Sequence, residues 1–237
     1  MTVARLIAAD VAERQLTPGS PLPPESEMAA IFGVGRPSIR EALRILEAQG
    51  LVTIRPGQGG GPVVRRPTPA DYGQSMSLFL QMGNVTYRDA LDVHARLAGL
   101  IAEQAAARVA DGDDALVPTL LEASRVELHD QRDDASFVTS GAGFHDVLLQ
   151  MAGNDTLGLL AGGLGYLFAM RTAHLHGGHW SAEERHQVAD EHRALADAVR
   201  RGSATKARRL GEAHVASQLQ WLDAQHPALL DEVVDWR

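Results

Sequence analysis

The chain has 237 residues, no cysteine, 45% hydrophobic residues and a net charge of -8. That length suits two domains, and the missing cysteine excludes disulfides and thiolate chemistry, so a bound metal must be held by histidine, carboxylate or backbone oxygen. No apolar run approaches a membrane span, and the N-terminus enters an amphipathic pattern (Val3, Leu6, Ile7, Val11) without a leader-like apolar core, so a soluble cytoplasmic protein is expected, with no membrane partner.

The charge is unevenly spread. Residues 1–66 hold eight arginines against six carboxylates, a net +2, which leaves the rest of the chain at -10. An acidic body repels a phosphate backbone, so only the mildly basic head is attractive to nucleic acid.

A first helix is expected over 2–15, followed by a Thr17-Pro18-Gly19-Ser20-Pro21 loop. Pro23 and Pro24 suit the start of a second helix, with Met28, Ala29, Ile31 and Phe32 as its core face, and Gly33-Val34-Gly35 is a sharp turn. A third helix starts near Pro37 and Ser38, carries Ile39, Ala42, Leu43, Ile45 and Leu46 as a core stripe, and ends at Gly50. Its other face presents Arg36, Ser38, Arg40 and Arg44. Two helices across a short glycine turn, with arginines at the start of the second, form a helix-turn-helix whose second helix fits a major groove. The β-branched runs 51–55 and 62–65 flank the glycine-rich loop 56–61, which makes a wing. Its glycines allow close approach to phosphate, with Arg55 behind them.

These residues resemble the winged helix-turn-helix of GntR-type bacterial transcription regulators. The resemblance lies in Leu22-Pro23-Pro24-Glu25, Gly33-Val34-Gly35-Arg36, Arg40-Glu41-Ala42-Leu43, Leu46-Glu47-Ala48-Gln49-Gly50-Leu51-Val52 and Gly57-Gln58-Gly59. It implies contact with an operator in double-stranded DNA through Glu25, Arg36, Pro37, Ser38, Arg40, Arg44, Arg55, Gly57, Gln58 and Gly59. The chain departs from the family pattern at Ser26, where an arginine is usual, and at Gly35, where serine or threonine is usual.

Past the two-proline linker, the sequence reads as helices over 69–82, 86–109, 113–131, 135–152, 155–176, 181–201 and 204–225, separated by glycine-containing breaks. The expected fold is mostly α: a winged helix-turn-helix domain (1–66), a linker (67–70) and an all-α antiparallel helical bundle (71–237). Ten histidines are many for this length. His192 and His214 lie ten residues before and twelve after Gly202, so at about 1.5 Å per residue they are nearly level on neighbouring helices. His145 from another helix would complete a three-nitrogen metal set, or the three are ordinary helix histidines. His174, His176, His179 and His186 fit no defined site, and Trp180, Trp221 and Trp236 read as core or interface residues.

Phe144-His145, Ala152-Gly153-Asn154, Glu191-His192, Ala207-Arg208 and His214 resemble the FCD ligand-binding domain of the FadR-like branch of these regulators. The resemblance implies a divalent metal (zinc, nickel or manganese) on His145, His192 and His214, although Gly141 stands where relatives supply a carboxylate. It also implies an effector pocket touched by Arg96, Asp92 and Asn154, where a surface salt bridge for Arg96 is the other reading, and more apolar than usual because Leu100 replaces a common glutamate. The expected function is a ligand-responsive repressor that binds a palindromic operator as a homodimer and is released by a small carboxylate. A metal-dependent hydrolase and a regulator with a metal-free pocket are the alternatives.

Overall fold

The computed structural model describes residues 2–57, 60–129, 134–172 and 181–236, with side chains of these outside 126–140. The chain divides into two compact units, Met1–Ser75 and Met76–Arg237, with the boundary inside a helix rather than at the prolines of the expected linker.

In the first unit, α1 (Val3–Glu13), α2 (Glu25–Phe32) and α3 (Arg36–Ala48) precede an antiparallel pair, β1 (Val52–Arg55) and β2 (Gly61–Val64). Helix α2 has Glu25 and Glu27 in its first turn, where negative charge complements the helix dipole, and stops at Gly33, whose φ of 65° is left-handed. Ile7, Met28, Ile39, Leu43 and Val52 fill the core between these elements. Two expected core residues are exposed instead, Ile31 and Ile45. At about 100° per residue, Ile45 lies roughly 120° round α3 from the Ile39, Leu43 and Leu46 stripe, and Ile31 flanks α2 in the same way.

The wing is fastened to α3, since the Ile54 amide donates to Glu47 Oε1 at 3.1 Å. The register runs from Val52 opposite Val64 to Arg55 opposite Gly61, and the Leu22 amide donates to Pro62 O at 2.8 Å, adding the preceding loop to the free edge of β2. Only glycine fits at position 60, because a Cβ there would sit 2.2 Å from the Arg55 carbonyl oxygen. Helix α4 (Pro69–Met82) starts with a reciprocal Thr68–Asp71 cap, and Arg65 pairs with Asp71 while donating to the Gly50 carbonyl at 3.0 Å.

The second unit contains α5 (Tyr87–Ala110), α6 (Val117–His129), α7 (Asp134–Ala152), α8 (Asp155–Thr172), α9 (Ala182–Arg200), α10 (Ala204–Gln225) and α11 (Pro227–Leu230). Helix α6 starts four residues later than expected, and the four-residue α11 is too short to leave a periodic signal. Residues 173–180, with His174, His176, His179 and Trp180, lie outside the described set. Trp221 donates to Glu184 Oε1 at 2.8 Å, whereas Trp236 is exposed. Residues after α11 strap the start of α5: the Val234 amide donates to Val85 O at 2.9 Å, and Tyr87 Oη donates to Asp235 at 2.6 Å. Among the described residues no helix is long and apolar enough to cross a membrane.

Helices α5 and α10 run antiparallel, as the contacts Ala110 with Gly202, Gly99 with Glu212 and Arg88 with Asp223 require. Their approach depends on small residues. A Cβ on Gly211 would lie 2.8 Å from the Ala98 carbonyl oxygen and 3.1 Å from Ala102 Cβ. Gly211→Ala should therefore destabilise this unit by about 1–3 kcal/mol, the usual cost of overpacking. Urea denaturation measures it, and an unchanged midpoint would mean that the two backbones are not in contact at Gly211.

Candidate functional site

The exposed face of α3 begins at Arg36 and includes Pro37, Ser38, Arg40 and Arg44, all solvent-facing as the sequence implies. Glu25 turns toward this face: its Oε2 accepts from Arg40 Nε at 2.8 Å, so it aims an arginine. Arg44 pairs loosely with Glu41 at 3.7 Å. Gly35 caps α3 without a side-chain hydrogen bond; Pro37 has no amide hydrogen and the Ser38 amide donates to the Gly35 carbonyl at 3.0 Å, so the Arg36 amide is the one first-turn donor left for a phosphate. Arg55 and Gly57 are exposed on the wing, and Gln58 and Gly59 lie outside the described residues.

In the second unit, α7, α9 and α10 bring His145, His192 and His214 together, with one nitrogen from each within 4.8 Å of the others. Small residues let these helices pack closely, since the alanines of α5, α9 and α10 (Ala102, Ala105, Ala196, Ala207) are fully buried in their shared core. Phe144 stacks on His192 with ring centroids 4.2 Å apart and closes one side. His192 and His214 face each other through Nε2 atoms at 3.1 Å.

A carboxylate orients the cluster. His214 Nδ1 donates to Glu191 Oε2 at 2.8 Å, while Ser217 Oγ donates to the same oxygen at 3.2 Å and Gln187 donates to Oε1 at 3.1 Å. Burial works to raise the Glu191 carboxyl, but these hydrogen bonds outweigh it and hold it below the usual carboxylate range. With the proton on Nδ1, His214 turns a bare Nε2 inward, where His192 Nε2 and the Gln218 amide, at 3.1 and 3.4 Å, can both donate to it. Carboxylate, histidine and an inward-facing nitrogen is the arrangement that orients a metal-ligating imidazole.

The His192–His214 pair is spaced for a divalent ion of zinc type, and His145 joins it within 4.8 Å. Two nitrogens each about 2.0–2.1 Å from an ion, at right or tetrahedral angles, stand about 2.8–3.4 Å apart, and the 3.1 Å between His192 and His214 lies in that range. Burial drives the His145 and His192 imidazoles well below their ordinary value; neighbouring histidines add to this, and Glu191 pulls His192 the other way. Neutral imidazole is the ligating form. Gly141 lies one turn before His145 on α7 and brings no carboxylate.

The expected effector residues are not at this cluster. Asp92 and Arg96 are 57% and 71% exposed and pair with each other at 2.9 Å, one turn apart on the outer face of α5, the arrangement that the salt-bridge reading of Arg96 describes. Asn154 is also exposed, and its side chain accepts from the Leu157 amide at 3.0 Å, capping α8. The residue that faces inward from this stretch of α5 is His94, which the sequence reading passed over. Its Nδ1 is buried without a hydrogen-bond partner among the described residues, and it lies within electrostatic reach of His145 and His214. The available signal was its place in the antiparallel pairing with α10, two residues off the exposed Asp92 and Arg96 face. A separate cleft of about 410 Å³, lined by Arg171, His226, Leu229 and Glu232, is already bridged by an Arg171–Glu232 ion pair.

Comparison with known proteins gives concordant results. The family described as bacterial regulatory proteins, gntR family, matches residues 1–60, and the FCD domain matches residues 89–217. The chain is 29% identical over 218 residues to the HTH-type transcriptional repressor NanR of Cronobacter sakazakii, spanning 87% of this chain and 78% of that protein. It is 30% identical over 209 residues to the NanR of Salmonella newport, spanning 84% and 75%. Among solved structures, Streptococcus agalactiae GntR superposes with a TM-score of 0.61 at 22% identity, covering 92% of this chain and 98% of that one, a likeness of fold.

The buried histidines make stability depend on pH. Burial lowers His94 to about 4, against about 6.5 in the unfolded chain. Between these values the unfolded chain binds a proton that the folded chain does not, so stability is fully present above pH 6.5 and is lost as pH falls toward 4. In metal-free protein, His94→Leu should make the loss of unfolding free energy between pH 7 and pH 5 smaller by about 1–2 kcal/mol. Urea titrations at both pH values measure this. Equal losses in the two proteins would mean that His94 is not held neutral by its surroundings.

Proposed function

We propose that this chain, which belongs to the gntR family of bacterial regulatory proteins and carries an FCD domain, represses transcription in the cytoplasm by binding a palindromic operator as a homodimer until a small carboxylate enters its histidine cluster. It is a ligand-responsive DNA-binding transcription regulator. Both matched families and the NanR relatives are regulators, which removes the hydrolase alternative.

In this reading α3 lies in the major groove, with Arg36, Ser38 and Arg40 at base edges and Arg55 and Gly57 of the wing at phosphate or the minor groove. The Glu25–Arg40 bond restricts the arginine before DNA arrives, which lowers the ordering cost of the contact. The absence of a side chain at Gly35 leaves the start of α3 to the DNA backbone. Homodimer formation draws support from α4, where Phe79 and Met82 are 75% and 77% exposed in the single chain.

The observation that carries the ligand-responsive part is the convergence of His145, His192 and His214 behind Glu191. These three histidines would hold a zinc, nickel or manganese ion, which would supply a positive centre for a ligand oxygen. The residues of the chain do the rest: Glu191 fixes the tautomer of His214, and Phe144 excludes water from one face of His192. An effector that favours the DNA-released arrangement by about 1–3 kcal/mol suffices for regulation.

Fluorescence anisotropy with the protein's own promoter fragment tests the DNA side. Arg36→Ala and Arg40→Ala should each cost about 1–3 kcal/mol of operator affinity if they meet base edges, and Arg40→Ala also leaves Glu25 without its partner. Wild-type isotherms for both variants would remove α3 from the interface. Zinc competition against a chelating dye tests the other side, where Glu191→Ala should weaken zinc about 10–100-fold, the usual effect of losing such an orienting carboxylate. Undiminished zinc affinity in that variant would show that His214 needs no orienting partner.

A further inference from the structure

The histidine trio brings no charge of its own in its ligating form, and Gly141 contributes no carboxylate. Glu191 is the carboxylate hydrogen-bonded to the trio, and it acts from behind His214. A divalent ion on three neutral imidazoles therefore keeps an unbalanced positive charge and open coordination positions, which an anionic oxygen would fill.

His94 faces the same interior from α5. Its Nδ1 is sealed from solvent and has no hydrogen-bond partner among the described residues, an arrangement that costs free energy unless a ligand completes it. On the α8 side Gly165 leaves room for the ring: a Cβ there would be 3.3 Å from His94 Cε1 and 3.5 Å from Nε2. On the α10 side the tight Gly211–Ala98 contact, one turn away, holds α5 against the helix that bears His214. The trio of nitrogens within 4.8 Å of one another does not include His94. That places it beside the ligand set, toward whatever fills the remaining coordination positions.

We propose that His94 is the effector-reading residue of this protein, donating its Nδ1 hydrogen to the oxygen of a small carboxylate whose other contact is the metal held by His145, His192 and His214. This rests on the metal reading above. It assigns to His94 the part that the resemblance gave to Arg96, and it changes the chemistry: a neutral imidazole offers one directed donor where an arginine offers a charged fork, so the ligand's charge is met by the ion. The pocket then favours a ligand that can chelate or bridge over one recognised by charge alone.

The test uses the full-length protein, stripped with a chelator, then titrated with Co²⁺ alone and afterwards with acetate, following the visible bands of the bound Co²⁺. His94→Leu removes the donor at similar volume, and His94→Asn keeps an N–H near the position of Nδ1. The expected result is that His94→Leu binds Co²⁺ within about threefold of wild type while acetate binds it about tenfold or more weakly, the scale of a lost hydrogen bond to a charged group. His94→Asn should recover part of the acetate affinity. Loss of Co²⁺ binding in both variants, with fold retained in His94→Asn, would make His94 a metal ligand and overturn the proposal. Wild-type acetate affinity in His94→Leu would reduce the residue to packing and overturn it as well. If the wild type takes up no Co²⁺, the metal reading itself falls, and acetate titrated calorimetrically into metal-free protein decides the rest: dependence on His94 sustains its role, and independence ends it.

Discussion

The second unit depends on the hydrogen bond from His214 to Glu191. The Glu191 carboxylate is partly withdrawn from water, and His214, Ser217 and Gln187 supply hydrogen bonds that offset the lost hydration. Once that bond is made, the tautomer of His214 is set and a bare nitrogen is turned inward to meet His192 at 3.1 Å. Remove the carboxylate and His214 has no reason to prefer either orientation, so the cluster becomes a group of buried polar atoms without order.

The close approach of α5 and α10 is the second requirement. Glycine and alanine line their contact, with Gly211 against Ala98 and Ala102, and Ala196 and Ala207 show the same economy of side chains in a core to which α5, α6, α7, α8, α9 and α10 all contribute. Close packing converts a small displacement into a discrete choice of arrangement, because interdigitated helices do not deform continuously. In the proposed mechanism a ligand on the histidines supplies the bias between two such arrangements. The first unit meets the same demand for local fixation by other means: Glu47 pins the wing to α3, Glu25 restrains Arg40, and Arg65 ties Gly50 to the start of α4.

Much of this was legible in the sequence. The helix-turn-helix was readable because each of its devices is local: the glycine turn at Gly33, the proline at the start of α3, the β-branched runs of the wing. His192 and His214 could be placed level with each other because a single hairpin at Gly202 fixes their distance from the bend. Glu191 appeared in the motif beside His192, but nothing in the spacing said that it would reach across to His214. The inward position of His94 was not legible, because α5 is packed on several sides and its polar and apolar positions do not separate into two clean stripes. Ile31 and Ile45 were misplaced for a related reason: an apolar residue at the flank of a stripe is assigned by its neighbours' packing and not by its own hydropathy.

The site depends on the tautomer that Glu191 imposes on His214, and imidazole nitrogen resonances report it directly. Long-range ¹H–¹⁵N correlation spectra of metal-free protein at neutral pH should show His214 protonated at Nδ1 with a bare Nε2, a pattern that Glu191→Ala abolishes. A His214 that carries its proton on Nε2 alone, or whose spectrum is unchanged when Glu191 is removed, would contradict the proposed construction of the site.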